Sequence, residues 1–497
     1  MSGFDTEYLK SLREAEWRAN LRKGIKAKER TDKERVKMPE VDALERVTGH
    51  MEVNTGLTKE MAVAEAQRCL DCVNPTCITG CPVGINIPEF IKHIEAGNFM
   101  DAARTLKETN AMPAVCGRVC PQEVQCEKSC FYTEKLGKKP VAIGNLERFA
   151  ADFERNSGTA YVPGIPDKIS TKVAVIGSGP AGLSAAKDLA GYGYEVTVFE
   201  ALHELGGVLK YGIPEFRLPN EIVDFEIDNL KKMGVKFVKN FVVGKTVSFE
   251  DLKDEGFEAF FVGSGAGLPN FMNIPGENFI GILSSNEYLT RINLMGAAKP
   301  EYDTPVAPGN KVAVIGGGNT AMDSVRTAKR LGAERAMIVY RRSFDEMPAR
   351  LEELHHAREE GIEFLNLNNP VRYIADKNGY VCKMVLQKME LGAPDASGRR
   401  KPFPVEGSEY EVDVDQVIVS IGVSPNPLIP QSLPGLKMTK WGTIEVNPET
   451  MQSSVPELFA GGDIVRGGAT VILAMGDGRK AAAGMHEYIK SKTKAAI

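Results

Sequence analysis

Two stretches of this chain repeat one hydrophobic pattern. KVAVIGSGPAGLSAAKDLAGYGYEVTVFE begins at Lys172, and KVAVIGGGNTAMDSVRTAKRLGAERAMIVYRR begins at Lys311. Each opens on a short apolar run, as a strand buried on both faces does. Each continues through a glycine turn into apolar residues at helical spacing and ends on a second apolar run. The pattern predicts two βαβ units, hence an α/β fold with parallel sheets. It is one internal duplication of a fold unit, not a short-period solenoid. Upstream, IPEFIKHIEAGNFMDAARTLKETN, from Ile87, predicts two short amphipathic helices joined near Gly97. NSGTAYVPGIPDKIS, at 156–170, reads as a linker, and LGAPDASGRRKPFP, within 391–410, as an exposed hairpin or loop. From Leu458 the pattern is a short apolar run, then Gly461-Gly462-Asp463, then a helix from about Thr470.

The chain has 497 residues, enough for roughly three domains of about 100–200 residues. A net charge of −5 gives no global sign of nucleic-acid or membrane binding. No apolar run approaches the roughly 18 residues of a membrane span. The opening MSGFDTEYLKSLREAEW carries charges where a signal peptide would be apolar, so a cytoplasmic chain is expected. Between Arg18 and Lys37 lie nine basic and three acidic residues. They read as a solvated helix and arm, or as a strap on a partner.

Gly177-x-Gly179-x-x-Gly182 sits between the strand Val173–Ile176 and a helix. The first glycine permits the tight turn, the second lets a pyrophosphate approach, and the third lets helix pack on strand. The helix N-terminus offers free N–H groups to the phosphates. Glu200 ends the second strand, where an acid can bond a ribose hydroxyl. In the second copy the turn is Gly316-x-Gly318-x-x-Ala321, and the strand ends in Tyr340-Arg341-Arg342. A carboxylate there would repel a 2′-phosphate, whereas guanidinium groups hold it. The expected ligand is NADPH, bound at Gly316, Gly318, Ala321, Arg341 and Arg342. The alternative is an exposed basic pair beside Asp345 and Glu346. Arg335, at the head of that strand, is a further candidate of unfixed direction.

Eight of nine cysteines fall in one short region. Cys69, Cys72, Cys77 and Cys81 are spaced C-x2-C-x4-C-x3-C-P. Cys116, Cys120, Cys126 and Cys130 are spaced C-x3-C-P-x4-C-x3-C. Soft thiolates at such spacing hold iron–sulfur clusters or zinc. The first run is close to the ferredoxin pattern, in which the fourth cysteine serves the other cluster. Spacing alone leaves the partition of ligands open, and leaves zinc or disulfides as alternatives. Neither proposed flavin segment contains cysteine, and the second nucleotide unit contains only Cys382. Electrons are therefore not expected to leave through a dithiol.

RCLDC-x4-C-x3-CPVGINIPEFI, AVCGRVCPQEVQCEKSC, PVAIGNLERF, YGIPEFRLP (from Tyr211) and GGATVILAMGDGRKAA (from Gly467) resemble one family. It is the family of the small (beta) subunit of NADPH-dependent glutamate synthase. The large subunit of NADH-dependent reduced ferredoxin:NADP oxidoreductase and the N-terminal half of dihydropyrimidine dehydrogenase are its relatives. The resemblance covers roughly residues 50–490. Val262-Gly263-Ser264-Gly265-Ala266 and Leu458–Asp463 also resemble the flavin domains of two-dinucleotide oxidoreductases. It implies FAD at Gly177, Gly179, Gly182, Glu200, Gly207, Gly462, Asp463 and Thr470. It implies two [4Fe–4S] clusters, one on Cys69, Cys72, Cys77 and Cys130. The other would take Cys81, Cys120, Cys126 and, as the best-matching non-cysteine ligand, Glu147. Cys116 would remain a buried thiol, and Glu147 could instead be a surface carboxylate.

The implied organisation is a helical iron–sulfur domain with its arm at 1–165, then two Rossmann-like domains. The FAD domain would be discontinuous, at 166–290 and 425–497, with the NADPH domain at 291–424 inserted. The implied activity moves electrons from NADPH through FAD and the clusters to a larger or second flavoprotein subunit. The glutamate synthase large subunit is the favoured partner. The alternatives are the NADP-binding subunit of a ferredoxin-linked bifurcating transhydrogenase and a non-catalytic electron-transfer scaffold. The chain starts Met1-Ser2, without the N-terminal cysteine of glutamine amidotransferases, and shows no (β/α)8 pattern. Any glutamate synthesis is therefore expected on another polypeptide. No acid–base residue is singled out as catalytic, and His355-His356 reads as lying on an exposed helix.

Overall fold

The computed structural model describes residues 6–164, 167–394 and 398–495. Met1 and Ser2, and the boundary placed between 165 and 166, lie outside the described residues. So does the centre of the 391–410 hairpin, residues 395–397.

The cysteine-bearing part is helical. The two short amphipathic helices are Ile87–Glu95 and Phe99–Thr109, and Gly97 between them takes φ +80°. Pro113–Val119 and Ile143–Asn156 pack on them. The basic arm is solvated along its lysines, Lys23, Lys26, Lys28, Lys33 and Lys37, but two of its arginines turn inward. Arg18 and Arg30 are each 2% exposed. Arg18 pairs with Asp71 at 2.5 Å, and Arg30 with Glu95 at 2.8 Å. Arg30 also donates to the carbonyls of Gln67 and Cys69, at 2.7 and 3.3 Å. The arm straps the chain's own cysteine loop.

The two βαβ patterns become two parallel five-stranded sheets of the same design. The first runs 458–460, 257–262, 172–176, 195–199, 236–238. The second runs 282–284, 416–419, 311–315, 335–340, 363–366. Leu458–Ala460 thus joins a sheet begun at Lys172, with the second sheet threaded between them. Ile282–Ser284, from the segment assigned to the flavin part, hydrogen-bonds in the second sheet. Ala266–Pro269 and Val423–Pro425 pair antiparallel where the chain crosses between the units. The 391–410 segment is the end of an antiparallel hairpin, in which Met389 faces Pro404 and Pro394 faces Arg400. The last helix is Val471–Ala495. Among the described residues no helix is long and apolar enough to cross a membrane.

The second nucleotide unit is fastened by buried charge. Glu360 accepts from Arg326 (2.7 and 2.9 Å), Arg330 (2.8 and 3.1 Å) and Arg46 of the arm (2.9 Å). Burial alone would raise this carboxyl; the hydrogen bonds from Arg326 and Arg330 instead hold it at about 2. Burial likewise opposes ionisation of Glu353, and the charges of Arg217 and Arg326 hold it at about 2. Glu360→Ala would remove the buried anion shared by three guanidinium groups, leaving Arg326 and Arg46 with only Glu353 and Glu359. It is expected to cost about 3–5 kcal/mol, read from the urea midpoint. Because both carboxyls lie below the ordinary value of about 4.3, their stabilisation is present above that pH and is lost as pH falls toward 2. An acid titration of stability should show a smaller loss in the Glu360→Ala chain than in the parent.

Candidate functional site

The first glycine turn follows the strand Lys172–Ile176 and opens the helix Pro180–Gly191. Its glycines divide the work. A Cβ on Gly182 would stand 1.9 Å from the Gly177 carbonyl oxygen, so this position serves packing. A Cβ on Gly179 would meet nothing within 4 Å. Gly179 lines the open cleft, where a pyrophosphate would approach the free N–H groups. Glu200 is buried at the end of its strand. It accepts from the Ser178 N–H (2.9 Å), the Ser178 hydroxyl (2.5 Å) and the Leu202 N–H (2.9 Å). It therefore braces the turn besides facing the cleft.

Three remote segments close on this turn. Gly207 has φ +55° and lies so near that a Cβ on it would be 3.0 Å from Gly179 Cα. Gly462 and Asp463 follow the strand Leu458–Ala460. Burial pushes the Asp463 carboxyl up to about 6, against a 3.1 Å hydrogen bond from the Ala469 N–H. Thr470 precedes the helix Val471–Ala495, and its hydroxyl accepts from the Gln125 amide of the cysteine domain at 3.4 Å. All four line the cleft. Ser264 in the same cleft has a buried hydroxyl oxygen without a protein partner. A glycine cradle, an open helix N-terminus and an orphaned hydroxyl fit a dinucleotide.

The second turn repeats the first. A Cβ on Gly316 would stand 2.2 Å from the Ser420 carbonyl oxygen, whereas Gly318 opens on empty space. Ala321 is fully buried behind the turn, where Gly182 stands in the first copy. Arg341 is exposed and Arg342 buried, and both line the cleft. Arg342 Nε donates to the Arg400 carbonyl at 2.8 Å. Arg335 turns away to Glu363, at 2.7 and 3.0 Å, and is not part of the site. Glu346 engages Arg400 and the Ser343 hydroxyl.

Both turns open on one cleft of about 1910 Å³, roughly twice the ~1,000 Å³ upper end for a single small ligand. Val119 and Pro121, the neighbours of Cys120, are among its lining residues. Two residues that the patterns did not single out stand between the turns. Arg217 Nη1 contacts both carboxylate oxygens of Asp323, at 2.7 and 2.8 Å, and both residues line the cleft. The only sequence signal was an arginine in YGIPEFRLP; its partner lies 106 residues away.

The thiols form two neighbourhoods. Cys77 is raised by burial and then by Cys69, Cys130 and Cys72. Cys72 is pushed up to about 12 by burial and then by Cys69 and Cys130. Cys126 is raised by burial and then by Glu127, Cys81 and Glu147. Cys120 is raised by a hydrogen bond to Cys116, by burial, and by Glu147 and Cys126 among its charged neighbours. Glu147 is not on the surface. Burial pushes it up to about 8, opposed by a 2.7 Å hydrogen bond from Asn110. Cys116 is fully buried, 3.6 Å from Asn110 Oδ1 and 3.5 Å from Met475 Sδ.

Buried neutral thiols of this kind ionise only when positive charge enters. Among the described residues, no three of these sulfurs lie within 4.8 Å of one another. A tetrahedral zinc with bonds of about 2.3 Å would need them about 3.8 Å apart. The soft thiolate donor set suits iron–sulfur centres as well as zinc. Glu40, Glu352 and His356 do bring ligand atoms within 4.8 Å. There Arg46 and Arg350 already neutralise the carboxylates, at 3.7 and 3.0 Å. His356 is 3% exposed, so only His355 is on the outer face of its helix.

A family model described as dihydropyrimidine dehydrogenase domain II, 4Fe-4S cluster, matches residues 46–159. A second, described as pyridine nucleotide-disulphide oxidoreductase, matches residues 171–478. The chain is 37% identical over 462 residues to the glutamate synthase [NADPH] small chain of Azospirillum brasilense, covering 92% of this chain and 95% of that one. It is 37% identical over 447 residues to the NADP(+)-dependent formate dehydrogenase subunit beta of Moorella thermoacetica, covering 85% and 61%. Mycobacterium tuberculosis FprA in complex with NADPH superposes with a TM-score of 0.57 at 19% identity. That match covers 66% of this chain and 86% of FprA, and shows a shared fold.

The two glycines of the first turn should part company on substitution. Gly179→Ala is expected to keep the far-UV circular dichroism of the parent and to lose bound flavin severalfold. Gly182→Ala is expected to lose the fold itself, because the added carbon meets backbone 1.9 Å away.

Proposed function

The chain belongs to the family of the glutamate synthase small chains, and from that premise we propose that it delivers electrons from NADPH to a glutamate synthase large chain. It is an NADPH-dependent flavin and iron–sulfur oxidoreductase. The finer reading is that FAD and two [4Fe–4S] clusters lie on the route, and that the partner subunit aminates 2-oxoglutarate with glutamine nitrogen. One observation carries it: a single cleft is lined by both glycine turns and by the two residues flanking Cys120.

When bound, these groups supply hydride donation, conversion between two-electron and one-electron chemistry, and single-electron transfer. The chain's part is to hold and orient them. Gly177, Gly179 and Gly207 admit the flavin's pyrophosphate, with Gly182 packed behind. Glu200 faces the ribose, and Gly462, Asp463 and Thr470 face the remainder. Gly316 and Gly318 admit the nicotinamide dinucleotide, with Ala321 behind and Arg341 and Arg342 toward its 2′-phosphate. Cys69, Cys72, Cys77 and Cys130 form one ligand set, and Cys81, Cys120, Cys126 and Glu147 the other. Pro82, beside Cys81, lies against Gly476 of the last helix: a Cβ on that glycine would be 2.9 Å from the Pro82 oxygen. The second cysteine neighbourhood is thus packed directly on the flavin unit.

The deciding experiment is an anaerobic pull-down of the tagged chain from its own cells. A partner of roughly three times this length with an N-terminal cysteine nucleophile supports the glutamate reading. A smaller flavoprotein, or a formate dehydrogenase chain, would replace it. The purified chain should hold about eight irons, and Cys77→Ser about four, by iron and acid-labile sulfide analysis. NADPH should bleach the flavin absorbance anaerobically. A zinc-loaded, iron-free chain would contradict the cluster assignment.

A further inference from the structure

The two residues of the strand-end pair are placed differently: both line the cleft, but Arg341 is exposed and Arg342 buried. A 2′-phosphate carries about −1.5 to −2 charge, as other phosphate monoesters do, and is best held by more than one guanidinium. Arg342 is 7% exposed, and its Nε is committed to the Arg400 carbonyl at 2.8 Å. That bond ties the antiparallel hairpin to the end of the strand Arg335–Tyr340. Two further ties act at the same point. Arg400 engages the Glu346 carboxylate, and its Nη2 donates to the Ser343 hydroxyl at 3.3 Å. The hairpin stem is pinned as well, because Asn369, which also lines the cleft, pairs with Gln387.

These ties hold the backbone of the next residue, Arg399, one peptide unit away and so about 3.8 Å between Cα atoms. Arg399 lines the same cleft as Arg341. Of the two carboxylates beside the pair, Glu346 is taken up by Arg400 and Ser343, and Asp345 is exposed to solvent. We propose that Arg399, delivered by the hairpin, joins Arg341 in holding the 2′-phosphate and so sets the preference for NADPH over NADH. The inference rests on the reading of the second site as an NADPH site. It gives the hairpin, which lies outside the parallel sheet, a reason to fold back on the strand end.

The test uses the full chain with its cofactors, and ferricyanide as electron acceptor. Arg399→Gln should raise KM for NADPH about tenfold or more, the loss expected for one charge-assisted contact. kcat should change by less than about twofold, and KM for NADH should not move. Inhibition by 2′,5′-ADP should weaken by the same factor as NADPH binding, whereas inhibition by ADP should not. Arg399→Lys should recover part of the loss, because it restores the charge without the fork. Unchanged NADPH and 2′,5′-ADP values in Arg399→Gln, beside a raised KM in Arg341→Gln, would overturn the proposal and leave the NADPH reading standing. A parent enzyme that uses NADH as well as NADPH would overturn both.

Discussion

The last helix, Val471–Ala495, must lie against the cysteine domain and the flavin unit at once, and everything between the cysteines and the glycine turns depends on that fit. Its contacts are backbone to backbone. Added carbons would stand 2.9 Å from the Pro82 oxygen at Gly476, 2.2 Å from the Ala181 oxygen at Gly478 and 2.3 Å from the Thr450 oxygen at Gly484. The same helix sends Arg479 to the carbonyls of Val83 and Thr109, at 2.8 and 2.7 Å, and to Asp188 at 2.9 Å. Met475, Ala481, Ala482 and Met485 are buried in a single core with Cys116, Leu146 and Leu183. The cysteine domain is therefore not a bead on a linker. A large apolar interface makes it one rigid piece with the flavin unit, which keeps Cys81 and Cys120 at a fixed place beside the cleft.

The second nucleotide unit is joined on another principle. Its apolar clusters are separate from that shared core. It meets the rest through Arg46, Arg217, Arg326, Arg330, Asp323, Glu353 and Glu360, all of them buried. Buried ion pairs gain little over apolar packing, but they are intolerant of displacement, since a misplaced charge finds no water. The joint thus defines a position more than it adds stability. It suits a unit that must present one dinucleotide opposite another across a cleft.

Hydrophobic periodicity made the fold readable. Two apolar strands, a glycine turn and a helical stripe need only neighbouring residues to be recognised, and both copies folded as their pattern predicted. What stayed hidden needs partners far along the chain. Arg18 finds Asp71 53 residues away, and Arg46 finds Glu360 314 residues away. Nothing local distinguishes a buried arginine from a solvated one, so the arm read as surface. His356 was misread for the same reason, since its burial comes from the arm and not from its own helix. Arg335 lay on the correct strand, but the direction of a side chain depends on the neighbouring strand, where Glu363 stands. For the cysteines, spacing left the partition of ligands open; the resemblance implied Cys130 with the first run, and in the folded chain Cys130 is a charged neighbour of Cys72 and Cys77.

The duplicated units show how little chemistry separates the two sites. Their turns are superposable in logic: a first glycine pressed on a carbonyl, a second open to the cleft, a third position buried behind. The difference lies at the strand ends. Glu200 is drawn inward by two N–H groups and a hydroxyl, so its charge serves the turn as well as the cleft. In the second copy no carboxylate takes that place, and the strand end is free to recruit the hairpin through Arg342 and the Arg400 carbonyl. The opposite charges at the two strand ends thus go with different ties, Glu200 to its own turn and Arg342 to the hairpin.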